Sequence, residues 1–354
     1  MKICFVIQDC TTVGGTERAT CRLASEMARR GHEVSIVSIY GVNGKCAFII
    51  NDKVGFEVLS DAKYGLQMSV FRRMIETLRS AKRLKKCRSV RKADILICQK
   101  FFAVTAGTMA GFSHKMIAGE HFPYLMYGKM LRELRNCIFK KAKRVVVLTE
   151  SCAESYGKVG IETTVIPDMV SIEGREHCEE GKRIVAAGRL AYEKGFDMLV
   201  EAFARENERL KEWKVEIYGE GECRGKLEKL IHDKGMDGRI ELKGNTDDIA
   251  KVFEHCSFGV VSSRFESFSL VIIEAAACGV PMVAFDCPVG PREILKDGGG
   301  LLVENGNIEA LGQAIVRMAN ERELRLRLGK ECAKIAERYS AERVCSQWEE
   351  LLKK

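Results

Sequence analysis

Two carboxylates, Glu266 and Glu274, stand eight positions apart in the stretch VSSRFESFSLVIIEAAACGVPMVAFDCPVGPR, residues 261–292. The apolar run 258–261 ends in a polar loop. A helix is expected to start near Ser267 or Ser269, whose hydroxyls suit an N-cap, and to stop at Gly279 with Pro281 beyond. Glu266 then lies in the loop and Glu274 on the helix. The backbone N–H groups of Phe268, Ser269, Leu270 and Val271 would be free donors at the helix start, a place that suits an anion such as a phosphate. Further upstream, Arg189 and Lys194 flank a loop after the apolar run 184–187. A planar fork and a point charge together can neutralise a diphosphate. Each feature also has a plainer reading: a helix-start acid, a solvated helix charge, two exposed cations.

These residues need a scaffold of strands and helices, and the chain alternates accordingly. Strand 184–187 leads through Gly188 into a helix from Phe196 to Ala204; apolar runs follow at 215–218, 240–242 and 282–285. Asn245 stands just past the third of these strands. At the N-terminus a first strand runs into Gly14 and Gly15, then a helix to about Arg30 and a strand at 34–39. Strand, glycine loop, helix, strand opens a doubly wound α/β sheet. The two glycines either let the backbone approach a ligand or only make a tight turn. Further strands are expected at 94–98, 115–118 and 145–148, the middle one ending in Gly119-Glu120-His121. The pattern places a domain boundary near Ile166-Pro167-Asp168 and a polar linker over 175–182. It ends in helix from about Arg322, broken at 339–341.

A chain of 354 residues, 46% hydrophobic and 30% charged, fits two soluble α/β domains. No apolar run reaches the roughly 18 residues of a spanning helix, and the N-terminus reads as a buried strand, not a signal peptide. Fifteen cysteines with no C-x2-C pair read as small buried hydrophobes in a reducing cytoplasm. The net charge of +8 is uneven: 28 Lys and Arg face 15 Asp and Glu over residues 1–170, against 29 and 34 in the rest. The segment 71–92 carries ten positive charges and one negative, with Phe71, Met74, Ile75, Leu78, Ala81 and Leu84 at helical spacing. A basic amphipathic helix can lie on an anionic membrane surface, or its stripe can pack on its own domain. No nucleic-acid-binding motif accompanies the charge.

The Glu266–Glu274 block, continuing through Ala-Cys-Gly-Val-Pro and Phe-Asp-Cys-Pro-Val-Gly-Pro-Arg-Glu-Ile, resembles the Glu-x7-Glu signature of retaining, nucleotide-sugar-dependent glycosyltransferases of family 4. The resemblance extends to Gly-Gly-x-Glu-Arg at 14–18, Gly-Arg-Leu-x3-Lys-Gly at 188–195 and Gly-x-Gly at 219–221. It implies the GT-B fold, two Rossmann-like doubly wound domains facing across a cleft, with a C-terminal helix returning to the N-domain. The expected divisions are an acceptor-binding domain at 1–168, a nucleotide-sugar-binding domain at 169–336 and a crossing helix at 337–354. By the same resemblance Gly14 and Gly15 approach the donor, Arg189 and Lys194 hold the diphosphate, Glu274 holds the ribose and Glu266 contacts the donor sugar. His121 points at the sugars, and Asn245 lies beside the base. No D-x-D motif occurs, so no metal and no cofactor is expected beside the nucleotide-sugar, UDP-linked, donor. The implied activity moves a hexose or N-acetylhexosamine to a glycan or lipid-linked acceptor in bacterial surface polysaccharide synthesis, in the cytoplasm or on the inner face of the membrane. The alternatives are a catalytically idle nucleotide-sugar-binding or membrane scaffold protein and a GT-B-like nucleotide-sugar epimerase; the epimerase would not share the Glu-x7-Glu block.

Overall fold

A computed structural model describes residues 1–42, 44–62, 70–170, 177, 181–287 and 289–353. The expected linker 175–182 lies outside them except at 177, 181 and 182. The chain forms two compact units, Met1–Met169 with Ala341–Lys354, and Val170–Ser340.

The first unit is built on seven strands: β1 (Lys2–Asp9), β2 (Glu33–Tyr40), β3 (Gly55–Val58), β4 (Ile95–Gln99), β5 (Met116–Glu120), β6 (Arg144–Val147) and β7 (Thr164–Val165). Their order is β3-β2-β1-β4-β5-β6-β7, and the pairings are parallel. Such a sheet is covered on both faces, and β1 shows how. Cys4 and Val6 enter one core; Ile3, Phe5 and Ile7 enter another, which Val344, Cys345, Trp348, Leu351 and Leu352 of the helix Ala341–Lys353 complete. Strand order reverses between β1 and β4, so the loops after these strands flank a crevice at their carboxyl ends.

The second unit repeats the plan with β8 (Arg183–Ala187), β9 (Lys214–Tyr218), β10 (Ile240–Gly244), β11 (Phe258–Val261), β12 (Met282–Asp286) and β13 (Gly300–Glu304). The order β10-β9-β8-β11-β12-β13 puts the reversal between β8 and β11. The loops carrying Arg189, Lys194 and Glu266 are the two that leave these strands.

The basic segment 71–92 is two helices rather than one, Val70–Lys86 and Arg88–Lys92, separated at Cys87, whose backbone is extended (φ −63°, ψ 125°). Burial drives the break: it turns Cys87 and Val90 into the core. The apolar stripe divides too. Ala81 and Leu84 pack inside, whereas Phe71, Met74 and Leu78 are exposed. Among the described residues no helix is long and apolar enough to cross a membrane.

Candidate active site

In the second unit the loops after β8 and β11 are bound to each other along their length. Between the loops the Arg264 amide donates to the Glu193 carbonyl (2.8 Å), and within the second loop the Ser263 hydroxyl donates to Glu266 Oε1 (2.8 Å). The Arg264 guanidinium forks onto Asp197 (2.8 and 2.6 Å) and lies over the Tyr192 ring, 4.2 Å from its centroid. Burial pushes the Asp197 carboxyl up, but the bonds from Arg264 outweigh it and hold the group below its ordinary value. Between the loops sits Gly195, in a left-handed conformation (φ 61°), where an added Cβ would lie 2.1 Å from the Ser262 carbonyl oxygen. Only glycine lets the loops close this tightly.

Within this frame Lys194 Nζ meets Glu266 Oε1 at 2.7 Å, with the carboxylate almost buried and the lysine one-quarter exposed. Arg189 does not join them: its guanidinium is mostly exposed and ion-paired with Glu193 at 2.6 Å. Both cations therefore rest on carboxylates, one deep and one at the surface. Glu274 is fully buried on the helix Leu270–Ala277. Asn245 is exposed just beyond Gly244, whose carbonyl accepts from the Gly219 amide (2.7 Å).

The expected hydroxyl cap is not made. Ser269 occupies the N-cap position, but its backbone is left-handed (φ 79°, ψ 73°) and its side chain forms no capping bond. A capping side chain needs an extended backbone to reach the first-turn amides. Phe268, Ser269 and Leu270 are buried around this helix start, with Val271 half-buried beside them.

The first unit carries a second cluster at its own point of reversal. Gly14 precedes the helix Gly15–Arg29 in an extended conformation, and a Cβ there would meet a Glu17 carboxylate oxygen at 2.1 Å. Glu17 is buried and takes a bond from Lys100 Nζ (2.8 Å), the residue directly after β4. Lys100 (φ 66°) and Ser269 are the two non-glycine residues with left-handed backbones among those described. Each stands beside a strand-order reversal, where strain is commonly held for function.

His121 is buried at the end of β5, its Nε2 2.8 Å from Gln99 Oε1 and its Nδ1 3.9 Å from Asp168. With Gln99 accepting, the proton sits on Nε2. Burial, helped by the charge of Lys100, lowers the imidazole pKa to about 3, so the ring is neutral at working pH. Burial raises the Asp168 carboxyl to about 7, against the opposing charges of Arg22 and Arg18. The raised value means the folded state holds this proton more tightly than the unfolded chain. The stability it brings is full below about pH 4 and is lost as pH rises through about 7. The advantage of wild type over Asp168→Asn should therefore shrink from pH 5 to pH 8 in urea unfolding. Equal differences at both pH values would refute the shift.

Comparison with known proteins decides the family. Residues 13–173 match the family model "Glycosyltransferase Family 4", and residues 171–334 match "Glycosyl transferases group 1". The chain belongs to the family 4 glycosyltransferases. This glycosyltransferase is 26% identical over 99% of its length to an uncharacterized glycosyltransferase of Haemophilus influenzae, covering 99% of that protein. It is 23% identical, again with 99% of both chains covered, to the amylovoran biosynthesis glycosyltransferase AmsD of Erwinia amylovora. Its fold is GT-B: a structure of S. aureus TarM superposes with a TM-score of 0.84 over 100% of both chains, at 16% identity.

Sequence reasoning missed the Glu17–Lys100 pair and the Arg264–Asp197 clamp. Glu17 lies inside the Gly-Gly-x-Glu-Arg segment, yet attention there falls on the glycines. Nothing in the sequence around Lys100 announces a partner 83 residues away.

Proposed function

We propose that this glycosyltransferase moves a hexose or N-acetylhexosamine from a UDP-sugar to a glycan or lipid-linked acceptor in surface polysaccharide synthesis, with retention at the anomeric carbon. The observation that carries the reading is the Lys194–Glu266 pair where β8 and β11 end, beside the buried Glu274 and the uncapped helix start. In the reaction the bond between the anomeric carbon and the diphosphate oxygen breaks, and its electron pair leaves with the diphosphate. The acceptor hydroxyl oxygen bonds to the same face of that carbon and gives its proton to the departing phosphate oxygen. Charge grows on the diphosphate, where Lys194, Arg189 and the amides of residues 268–271 would meet it without a metal. Fixed donors there stabilise the transition state more than the ground state. Glu274 would hold the ribose, Glu266 the donor sugar, and Asn245 would lie by the base. Gly14, Gly15 and the neutral His121 are the first unit's own candidates for contact with a substrate. Among the relatives, AmsD is named for amylovoran biosynthesis, and the TarM structure contains UDP and alpha-GlcNAc-glycerol. Both support the reading by analogy.

The test is a screen of UDP- and GDP-sugars with lipid-linked and glycan acceptors, following nucleotide release with and without added Mg2+. Magnesium-independent turnover of one UDP-sugar, with the product keeping the donor's anomeric configuration, is the expected result. Tight donor binding with no turnover under any acceptor would overturn the reading in favour of an idle nucleotide-sugar-binding protein.

An anionic membrane surface is the proposed site of work. Phe71, Met74 and Leu78 on one basic helix are exposed, as are Met130 and Leu134 on the helix Lys129–Phe139. Both helices pack against the helix Lys100–Met109. Basic residues near such a surface contribute about 1 kcal/mol each, and the apolar side chains can insert. Phe71→Glu with Met74→Glu should weaken sedimentation with phosphatidylglycerol vesicles about tenfold or more. Unchanged sedimentation would remove these helices from the interface.

A further inference from the structure

Cys10 directly follows β1, Cys21 lies within the helix Gly15–Arg29, and Cys46 lies between β2 and β3. The fold brings their sulfurs together: 3.5 Å between Cys10 and Cys21, 3.8 Å between Cys10 and Cys46, and 3.3 Å between Cys21 and Cys46. Cys10 and Cys21 are buried, while Cys46 is partly exposed and leaves the group an open side. Among the described residues this is the group of three His, Cys, Asp or Glu side chains close enough to share one ion.

The dimensions fit a particular ligand. A triangle with these sides has its centre about 2 Å from each corner, so an ion with metal–sulfur bonds of about 2.3 Å would sit about 1 Å above the sulfur plane. That is a trigonal pyramid with its fourth position free, the donor set of a soft cation. Ordinary packing explains why a cysteine is buried. It does not explain three sulfurs from three separate segments converging on a common point.

We propose that Cys10, Cys21 and Cys46 form a three-thiolate site for one divalent cation of the zinc class. Binding replaces the thiol protons by three metal–sulfur bonds and releases those protons to solvent. The ion would join the end of β1, the following helix and the segment before β3, where the Ala47 amide already donates to the Cys10 carbonyl (2.9 Å). Because Gly14 and Gly15 lie between Cys10 and Cys21, it would also pin the turn that holds them. In the sequence, spacing offers no C-x2-C pair and the cysteines read as small buried hydrophobes; the group appears only when the fold joins segments 11 to 36 residues apart.

The experiment uses the whole protein, stripped of metal and kept reduced with a phosphine. Cobalt(II) titration should show one equivalent bound with sulfur-to-cobalt charge-transfer absorption, displaced by zinc. Cys21→Ser and Cys46→Ser should each lower zinc affinity about a hundredfold or more, and Cys137→Ser, at an exposed cysteine elsewhere, should leave it unchanged. In the wild-type protein, where no variant can misfold, one equivalent of zinc should slow alkylation of Cys46 at least tenfold. Absence of the charge-transfer band, unaltered affinity in Cys46→Ser, or alkylation indifferent to zinc would each overturn the proposal. So would rapid air oxidation of Cys21 with Cys46 to a disulfide in a protein that takes up no zinc when reduced.

Discussion

Replacing Lys194 with alanine is expected to lower kcat/KM with the best donor about a hundred- to a thousandfold, the cost of removing one aligned donor from a developing oxyanion. The effect should be large because the ammonium is held in place: Glu266 Oε1 lies 2.7 Å away, and the Ser262 hydroxyl binds the Lys194 carbonyl at 3.2 Å. Lys194→Arg should recover little, since a planar fork does not fill the place of a compact point charge against a nearly buried carboxylate. Glu266→Gln separates two roles for that carboxylate. It keeps an acceptor for Ser263 but removes the counter-charge from Lys194. Turnover should fall about a hundredfold while UDP alone binds at least as tightly as to wild type, measured by calorimetry. Weaker UDP binding in Glu266→Gln would mean that the pair only shapes the loop. Full activity in Lys194→Ala would remove the site from the chemistry altogether.

The strand–loop–helix order that places these residues was legible because a parallel strand buried on both faces is an apolar run, and each run here ends in glycine or a polar loop. Gly188, Gly195 and Gly279 could be read directly as punctuation. What could not be read depends on contacts between distant segments. The break at Cys87 follows from burying Cys87 and Val90, which a helical repeat counts as two more stripe positions. Ser269 has the side chain of a cap but not the backbone, because the β11 loop imposes φ 79° on it. Arg189 and Lys194 look equivalent in a motif. The fold sends one to a surface carboxylate and the other to an almost buried one. Asp168 stands out in the sequence only as part of the boundary at Ile166-Pro167-Asp168, yet it is the carboxylate facing His121.

The second large effect is on stability. Arg135→Ala should destabilise the first unit by about 3–5 kcal/mol, because it leaves the Glu120 carboxyl buried without its cation. Both side chains are completely buried, 3.2 Å apart. The guanidinium makes no well-aligned hydrogen bond among the described residues; its charge is met by Glu120 and by the faces of Tyr124, Tyr127, Phe139 and Tyr156, 4.6 to 5.9 Å from their centroids. Glu120 in turn accepts from the Tyr156 hydroxyl (3.1 Å) and the Phe122 amide (2.9 Å). Burial raises its pKa, and Arg135 offsets part of that rise. A unit of this size loses about 2–4 °C of Tm per kcal/mol, so Arg135→Ala should melt about 10 °C lower. The double variant Glu120→Gln with Arg135→Met, which removes both charges but keeps the volume, should regain most of the loss. A single variant that melts like wild type would show that the charge pair contributes nothing to holding the loop that carries His121.

The helix Ala341–Lys353 gives the first unit Trp348, Leu351 and Leu352 for the face of the sheet that Ile3, Phe5 and Ile7 form. Those residues leave the ribosome after all of Val170–Ser340, a continuous stretch that makes a unit by itself. At about 5–20 residues per second, that stretch takes roughly 10 to 30 s to make. Throughout that interval the face formed by Ile3, Phe5 and Ile7 is covered in part by Cys21, Leu23 and Met27 of the helix Gly15–Arg29 but lacks the share that comes from the later helix, so the unit begun first is the unit that finishes folding last. On the nascent chain, chaperone binding should concentrate there.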